Sequence, residues 1–102
     1  MTKYTFPDNW PPISEFEARK KVTGLVLDQV SDMLLADDEP QLITKENGRL
    51  VWSVSIIFTS ITRGRVGRVG VLEVDARSGE VLITDEILNQ VRNEVARLAK
   101  DN

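Results

Sequence analysis

The sequence predicts an α+β fold: an N-terminal helix packed on a four-stranded antiparallel meander sheet, followed by a C-terminal helix. In two segments, one near the start and one at the end, apolar residues recur every three or four positions, which is the spacing of amphipathic helices. Between them apolar and polar residues alternate, which is typical of strands with one buried face. Turn sequences containing Asn, Asp and Gly separate these segments, so neighbouring strands are predicted to pair.

The first helix is predicted to begin at Ser14 and to end near Ala36. Ser14 and Glu17 fit a capping box, in which each side chain bonds a free backbone N–H at the helix start. Gly24 lies mid-helix at some cost in helix propensity, and we interpret it as permitting close approach to the sheet. The predicted buried stripe contains Ala18, Val22, Leu25, Val26, Val30, Met33 and Leu34.

The predicted strands are residues 42–45, 50–59, 69–74 and 81–83. Asn47-Gly48 predicts a two-residue hairpin loop, and residues 75–79 a turn held by Asp75. Residues 60–68 are predicted to form a loop or a twisted hairpin tip. The second helix is predicted over residues 85–99, capped by Thr84 or Asp85. The long strand should place Leu50, Trp52, Val54, Ile56 and Phe58 on the core face, and Val51, Ser53, Ser55, Ile57 and Thr59 on the other.

Composition indicates a single domain over residues 1–102, with 41% hydrophobic and 28% charged residues. Residues 1–13 form a Pro/aromatic arm, residues 14–83 the first helix and the sheet, and residues 84–102 the C-terminal helix. The arm either covers an open edge of the core or docks on a partner, and Trp10 is its candidate binding aromatic. The N-terminus lacks the apolar region of a secretory signal, so we predict a cytoplasmic protein without membrane association.

The chain contains no Cys and no His. Thiolate chemistry, cysteine zinc sites and Ser-His-Asp catalysis are therefore excluded within it. We predict a protein that is not an enzyme, with no metal and no cofactor. An enzyme that uses only carboxylates is a weaker alternative, because no pair of acids stands out. We interpret residues 37–39 (Asp-Asp-Glu) as an acidic helix-terminal turn, and expect Glu73 to share an apolar strand face or to pair with an arginine across strands.

Three arginines, Arg63, Arg65 and Arg68, fall within six residues and are separated by Gly64, Val66 and Gly67. Guanidinium groups bind phosphates and carboxylates, so this segment is either a solvated hairpin tip or a binding site. The net charge of −3 disfavours a general nucleic-acid binder and makes an acidic protein surface at least as suitable a ligand.

Two segments resemble the PepSY and PepSY-like domains. They are Leu50-Val51-Trp52-Ser53-Val54 and the stretch over residues 72–82, whose Val-Asp-Ala-Arg-Ser-Gly-Glu-Val is similar to the ending of that family. The resemblance covers roughly residues 15–83. It implies a helix before an antiparallel sheet in a cystatin-like arrangement, and a protein-binding or protease-modulating module, with no catalytic residues to carry over. This chain departs from the family in its C-terminal helix and in lacking an export segment.

Together these observations predict a non-catalytic protein-interaction module, such as a small adaptor, inhibitor or immunity-type protein. Its partner would use the second sheet face, an edge strand or the arginine segment, and Val51 and Ile57 on the second face indicate a partner or a homodimer. The alternative is a nucleic-acid-associated protein that uses the basic hairpin tip.

Overall fold

A computed structural model describes residues 11–100 of the chain. It confirms the α+β class: one helix precedes an antiparallel sheet and a second helix follows it, although the sheet has five strands rather than four. The elements are α1 (Glu15–Gln29), β1 (Leu34–Ala36), β2 (Gln41–Thr44), β3 (Leu50–Ser60), β4 (Gly64–Asp75), β5 (Val81–Leu82) and α2 (Asp85–Lys100).

The sheet is a meander around β3. On one side of β3, β1 lies opposite residues 56–58 and β2 opposite residues 50–53, so two short strands share one edge. Pro40 lies between them and has no N–H to donate to a ladder, which is consistent with the break. On the other side β4 pairs with β3 along almost its whole length, and β5 pairs only with Glu73 and Val74 of β4.

The predicted end of the first helix near Ala36 is wrong, because α1 ends at Gln29. Leu34 and Ala36 are buried through a period of two in β1, with Leu35 exposed between them. A local bond competes with the helix, since the Met33 N–H donates to Ser31 Oγ. The predicted start is confirmed: Ser14 is the N-cap, and its hydroxyl accepts the Glu17 N–H at 3.1 Å.

Both helices pack on the same face of the sheet and share one hydrophobic core with it. The core contains Ala18, Val22, Val26, Leu34, Ala36, Val54, Ile56, Phe58, Val69, Leu72, Val74 and Val91. α2 lies close to the glycines of β4: a Cβ added to Gly70 would lie 2.8 Å from Val91 Cγ2. Its start is capped as predicted, because the Ile87 N–H donates to Thr84 Oγ1 at 3.2 Å.

The turn before β3 differs from the prediction. The Lys45 N–H donates to the Arg49 carbonyl at 2.7 Å and the Gly48 N–H to the Lys45 carbonyl at 2.9 Å, so the loop has three residues rather than two. Among the described residues only glycines have positive φ, and Gly48 (φ 83°) is one of them. Asn47 therefore does not adopt the left-handed conformation of a two-residue Asn-Gly loop.

Residues 60–68 are mostly strand, and only residues 61–63 form the turn. β4 accommodates its extra length with two bulges. The pairing passes from Ile56 opposite Gly70 to Ile57 opposite Arg68, which leaves Val69 as an additional residue, and Val66 is left in the same way between Gly67 and Arg65. Both bulged valines pack on the core side.

Candidate functional site

The sheet surface opposite the two helices is called the open face. Residues that are paired across an antiparallel ladder point to the same side of the sheet. The register therefore places Leu35, Gln41, Ile43, Val51, Ser53, Ser55, Ile57, Thr59, Arg65, Arg68, Val71, Glu73 and Asp75 on this face. The residues that pack in the core around α1 and α2 lie on the other face.

The three predicted arginines do not form one cluster. Arg63 is exposed in the turn, whereas Arg65 and Arg68 lie on β4 and belong to the open face. Strict alternation down from Val71 would place Arg68 on the core face, and the bulge at Val69 moves it to the open face. The second bulge, at Val66, compensates for the first, so that Arg65 keeps the open-face position that strict alternation gives it. Of the two alternatives predicted for residues 60–68, the loop is wrong for Arg65 and Arg68, and the hairpin agrees with the structure.

Arg65 is neutralised by an acid that the sequence reasoning did not connect to it. Its Nη2 lies 2.6 Å from Asp37 Oδ1. This hydrogen bond lowers the pKa of Asp37, with a further contribution from the Asp38 backbone N–H, and the same contact raises the pKa of Arg65. Asp38 in turn pairs with Arg19 of α1 at 3.2 Å. The predicted helix-terminal position of residues 37–39 is wrong, because they follow β1 and α1 ends at Gln29. Asp37 and Asp38 each bond an arginine.

Arg68 borders a polar depression of about 240 Å³ near the centre of the open face. Asp37 and Glu39 provide carboxylates along its wall, and Ser53 and Ser55 of β3 provide hydroxyl groups. Both signs of charge therefore meet here beside uncharged donors and acceptors. Such a depression suits the polar or charged end of a protein side chain, because it offers hydrogen-bond donors as well as acceptors.

The other end of the open face also carries paired charges. Lys45 Nζ lies 2.9 Å from Glu73 Oε2, so the partner of Glu73 is a lysine and not the arginine predicted. Arg49 Nε lies 3.1 Å from Asp75 Oδ2. The pKa of Asp75 is lowered chiefly by the backbone N–H groups of Ser78 and Arg77, which confirms the predicted role of Asp75 in its turn.

Aliphatic side chains lie between these charges. Leu35, Ile43 and Val71 on three different strands are exposed to 36%, 37% and 39%. Ile57, between Leu35 and Arg68 in the register, and Val51 are both buried. Neither side chain therefore offers contact area to a partner, and the expectation of a partner or homodimer has no support from these two residues. The sequence reasoning named Val51 and Ile57 on this face but missed Leu35; the apolar strand face expected around Glu73 includes Val71. The alternation of β4 from Asp75 back to Val71 was the available signal for Val71.

The predicted arm can be followed only at its end. Trp10, the candidate binding aromatic, lies outside the described residues. Ile13 is attached to the sheet: its N–H donates to the Ala76 carbonyl at 3.0 Å, and its carbonyl accepts the Trp52 indole N–H at 2.8 Å. Trp52 is partly buried and packs against the core, as predicted.

No family model, no curated protein and no solved structure matches this chain. The likeness to PepSY domains therefore remains a prediction from the residues quoted above. Over residues 11–100, neither helix has the length and apolar character required to cross a lipid bilayer.

Proposed function

We propose that this protein is a non-catalytic interaction module that binds another protein through the open face. The observation that supports the proposal is the combination of half-exposed Leu35, Ile43 and Val71 with charges of both signs. Protein interfaces combine apolar contact area with polar groups that fix orientation. The resemblance to PepSY domains supports the same class of function.

The charges of the open face favour a protein over a nucleic acid. Binding to phosphates depends on cations that displace counterions, but Arg65 is paired with Asp37, and Asp37 and Glu39 lie beside Arg68. A phosphate backbone laid along β4 would meet these carboxylates. A protein surface can instead present an apolar strip to Val71 and Leu35 and a polar side chain to the depression beside Arg68.

The test is site-specific photo-crosslinking in lysate, carried out in parallel with and without nuclease treatment. A photoreactive amino acid replaces Val71 on the open face, and a matched control carries it at Asn89, an exposed position of α2. We expect a discrete protein adduct at position 71 and not at position 89. Adding Ile43→Glu, on the same face but on β2, should abolish that adduct by placing a charge in the apolar part of the interface.

The other outcomes separate the alternatives. An adduct of the chain with itself would assign the open face to a homodimer. An adduct with nucleic acid that disappears after nuclease treatment and in Arg68→Ala would support the nucleic-acid alternative. Equal labelling at positions 71 and 89 would contradict a binding role for this face.

A further inference from the structure

The outer side of α1 carries a second surface, which we call the helix notch and define by Phe16, Lys20, Gly24 and Leu27. Phe16 is 68% exposed and Leu27 44% exposed. Two depressions of about 440 and 430 Å³ lie along this side, and both are bordered by Lys20 and Gly24. Positions 16, 20 and 24 are each two residues from the buried Ala18, Val22 and Val26, so they point away from the sheet.

No residue between positions 11 and 100 packs closely against Gly24. The prediction that it permits close approach to the sheet is wrong, since a Cβ added there would meet no atom within 4 Å. Glycine is a poorer helix former than alanine, so its presence in the middle of α1 lowers the stability of the helix. What the missing side chain does provide is space on the outer surface between Phe16 and Leu27.

The charge of the notch determines what fits it. Lys20 stands at its middle and borders both depressions. Arg19, which bonds the Asp37 carbonyl and Asp38, borders the first depression, and Glu17 borders only the second. If a second copy of α1 packed antiparallel across the middle of the notch, the two Lys20 ammonium groups would lie close together, which is repulsive. A helix with acidic residues opposite Lys20 would be attracted to the same surface.

We propose that the helix notch binds an amphipathic acidic helix of another protein. One apolar side chain of that helix lies over Gly24, others contact Phe16 and Leu27, and a carboxylate faces Lys20. The span from Phe16 to Leu27 is three helical turns, about 16 Å, so a partner helix of three to four turns covers it. The notch and the open face lie on opposite sides of the sheet, so this proposal does not depend on the proposed function.

The probe is a displayed library of helical peptides with a fixed apolar stripe and flanking positions randomised among Asp, Glu, Lys and Arg. Selection on the full chain is expected to enrich acidic residues. The best peptide should bind Gly24→Leu and Leu27→Glu at least tenfold more weakly. Asn89→Leu, which adds the same bulk on α2, and Val71→Glu, which alters the open face, should leave its affinity unchanged.

A stability measurement separates binding from folding. Leucine favours a helix more than glycine does, so Gly24→Leu should unfold at an equal or higher temperature than the parent while binding the peptide more weakly. Enrichment of basic peptides, no enrichment at all, or binding that is insensitive to both Gly24→Leu and Leu27→Glu would overturn the proposal. Loss of binding in Val71→Glu would overturn it too, by placing the peptide on the open face.

Discussion

The two faces of the sheet are formed by the same strands but differ in the contacts that their side chains make. Leu72 and Val71 are neighbours in β4, yet Leu72 is 1% exposed in the core and Val71 is 39% exposed on the open face. The core face is stabilised by packing against α1 and α2. The open face is stabilised by local polar contacts such as Arg65 with Asp37 and Lys45 with Glu73. Substitutions on one face should therefore affect folding, and those on the other should affect binding.

The largest difference is expected between Leu72→Ala and Val71→Ala. Removing Leu72 leaves a cavity and should lower the free energy of unfolding by about 2–5 kcal/mol. Removing the exposed Val71 methyl groups should change it by less than about 0.5 kcal/mol. Urea denaturation of both variants measures the two values. If Val71→Ala lowered the free energy of unfolding by as much as Leu72→Ala, and by an amount that depended on protein concentration, the expected difference between the two faces would be contradicted. Such a result would mean that a second copy of the chain covers the open face.

Gly70→Ala is expected to have a smaller effect, of about 1–3 kcal/mol, because the new Cβ forces Val91 of α2 away from β4. The control is Gly67→Ala, whose Cβ would lie 3.5 Å from Leu98 Cδ1, an ordinary contact, and whose effect should be close to zero. Thermal denaturation compares them. If the close approach is the cause, Val91→Ala should cost less stability in the Gly70→Ala background than in the parent.

Asp75→Asn should have the smallest of the three effects, about 1–2 kcal/mol at neutral pH, because it removes the charge that the turn amides and Arg49 stabilise. The folded-state pKa of Asp75 is lowered, so its contribution to stability is complete above the unfolded pKa of about 3.9 and is lost as pH falls through the folded pKa. Parent and variant should therefore differ at pH 7 and converge at the acidic end.

Asp37→Asn is the control for Asp75→Asn. Asp37 and Arg65 are side chains exposed to 34% and 56%, and surface pairs contribute little. Asp37→Asn should lower the free energy of unfolding by less than Asp75→Asn does, and added salt should reduce its effect further. Denaturant titration at pH 7 and at acidic pH measures both variants. A pH dependence in Asp75→Asn equal to that of the parent would show that another carboxyl group causes it.

Much of the fold could be predicted because local signals agreed with the global fold. The N-cap at Ser14, the Asp75 turn and the alternation of β3 each specify an element without reference to distant residues. β1 could not be predicted in this way. Leu34 fits a helical stripe and a strand equally well, and the strand forms only because β3 offers a partner with Ile56 and Phe58 at the matching positions.

The candidate site was predicted less well for a related reason. The sequence groups Arg63, Arg65 and Arg68 by their proximity in the chain, but a strand side chain's direction depends on register. The bulges at Val66 and Val69 change that register, and nothing in the Val-Gly-Arg pattern specifies them. The neutralising contact from Asp37 comes from a residue 28 positions away, across the sheet.

The bulges also determine where this hairpin can change length. Val66 and Val69 are the residues that the β3–β4 pairing leaves out. Deleting either one would convert its bulge into regular ladder while every other residue of β4 kept its partner. At either of these two positions, a single-residue deletion would leave every other side chain of β4 on its present face of the sheet. The deletion would remove one apolar side chain from the core. Variants of this chain are therefore expected to tolerate a deletion at Val66 or Val69 better than a substitution at Gly70, where an added Cβ would collide with Val91.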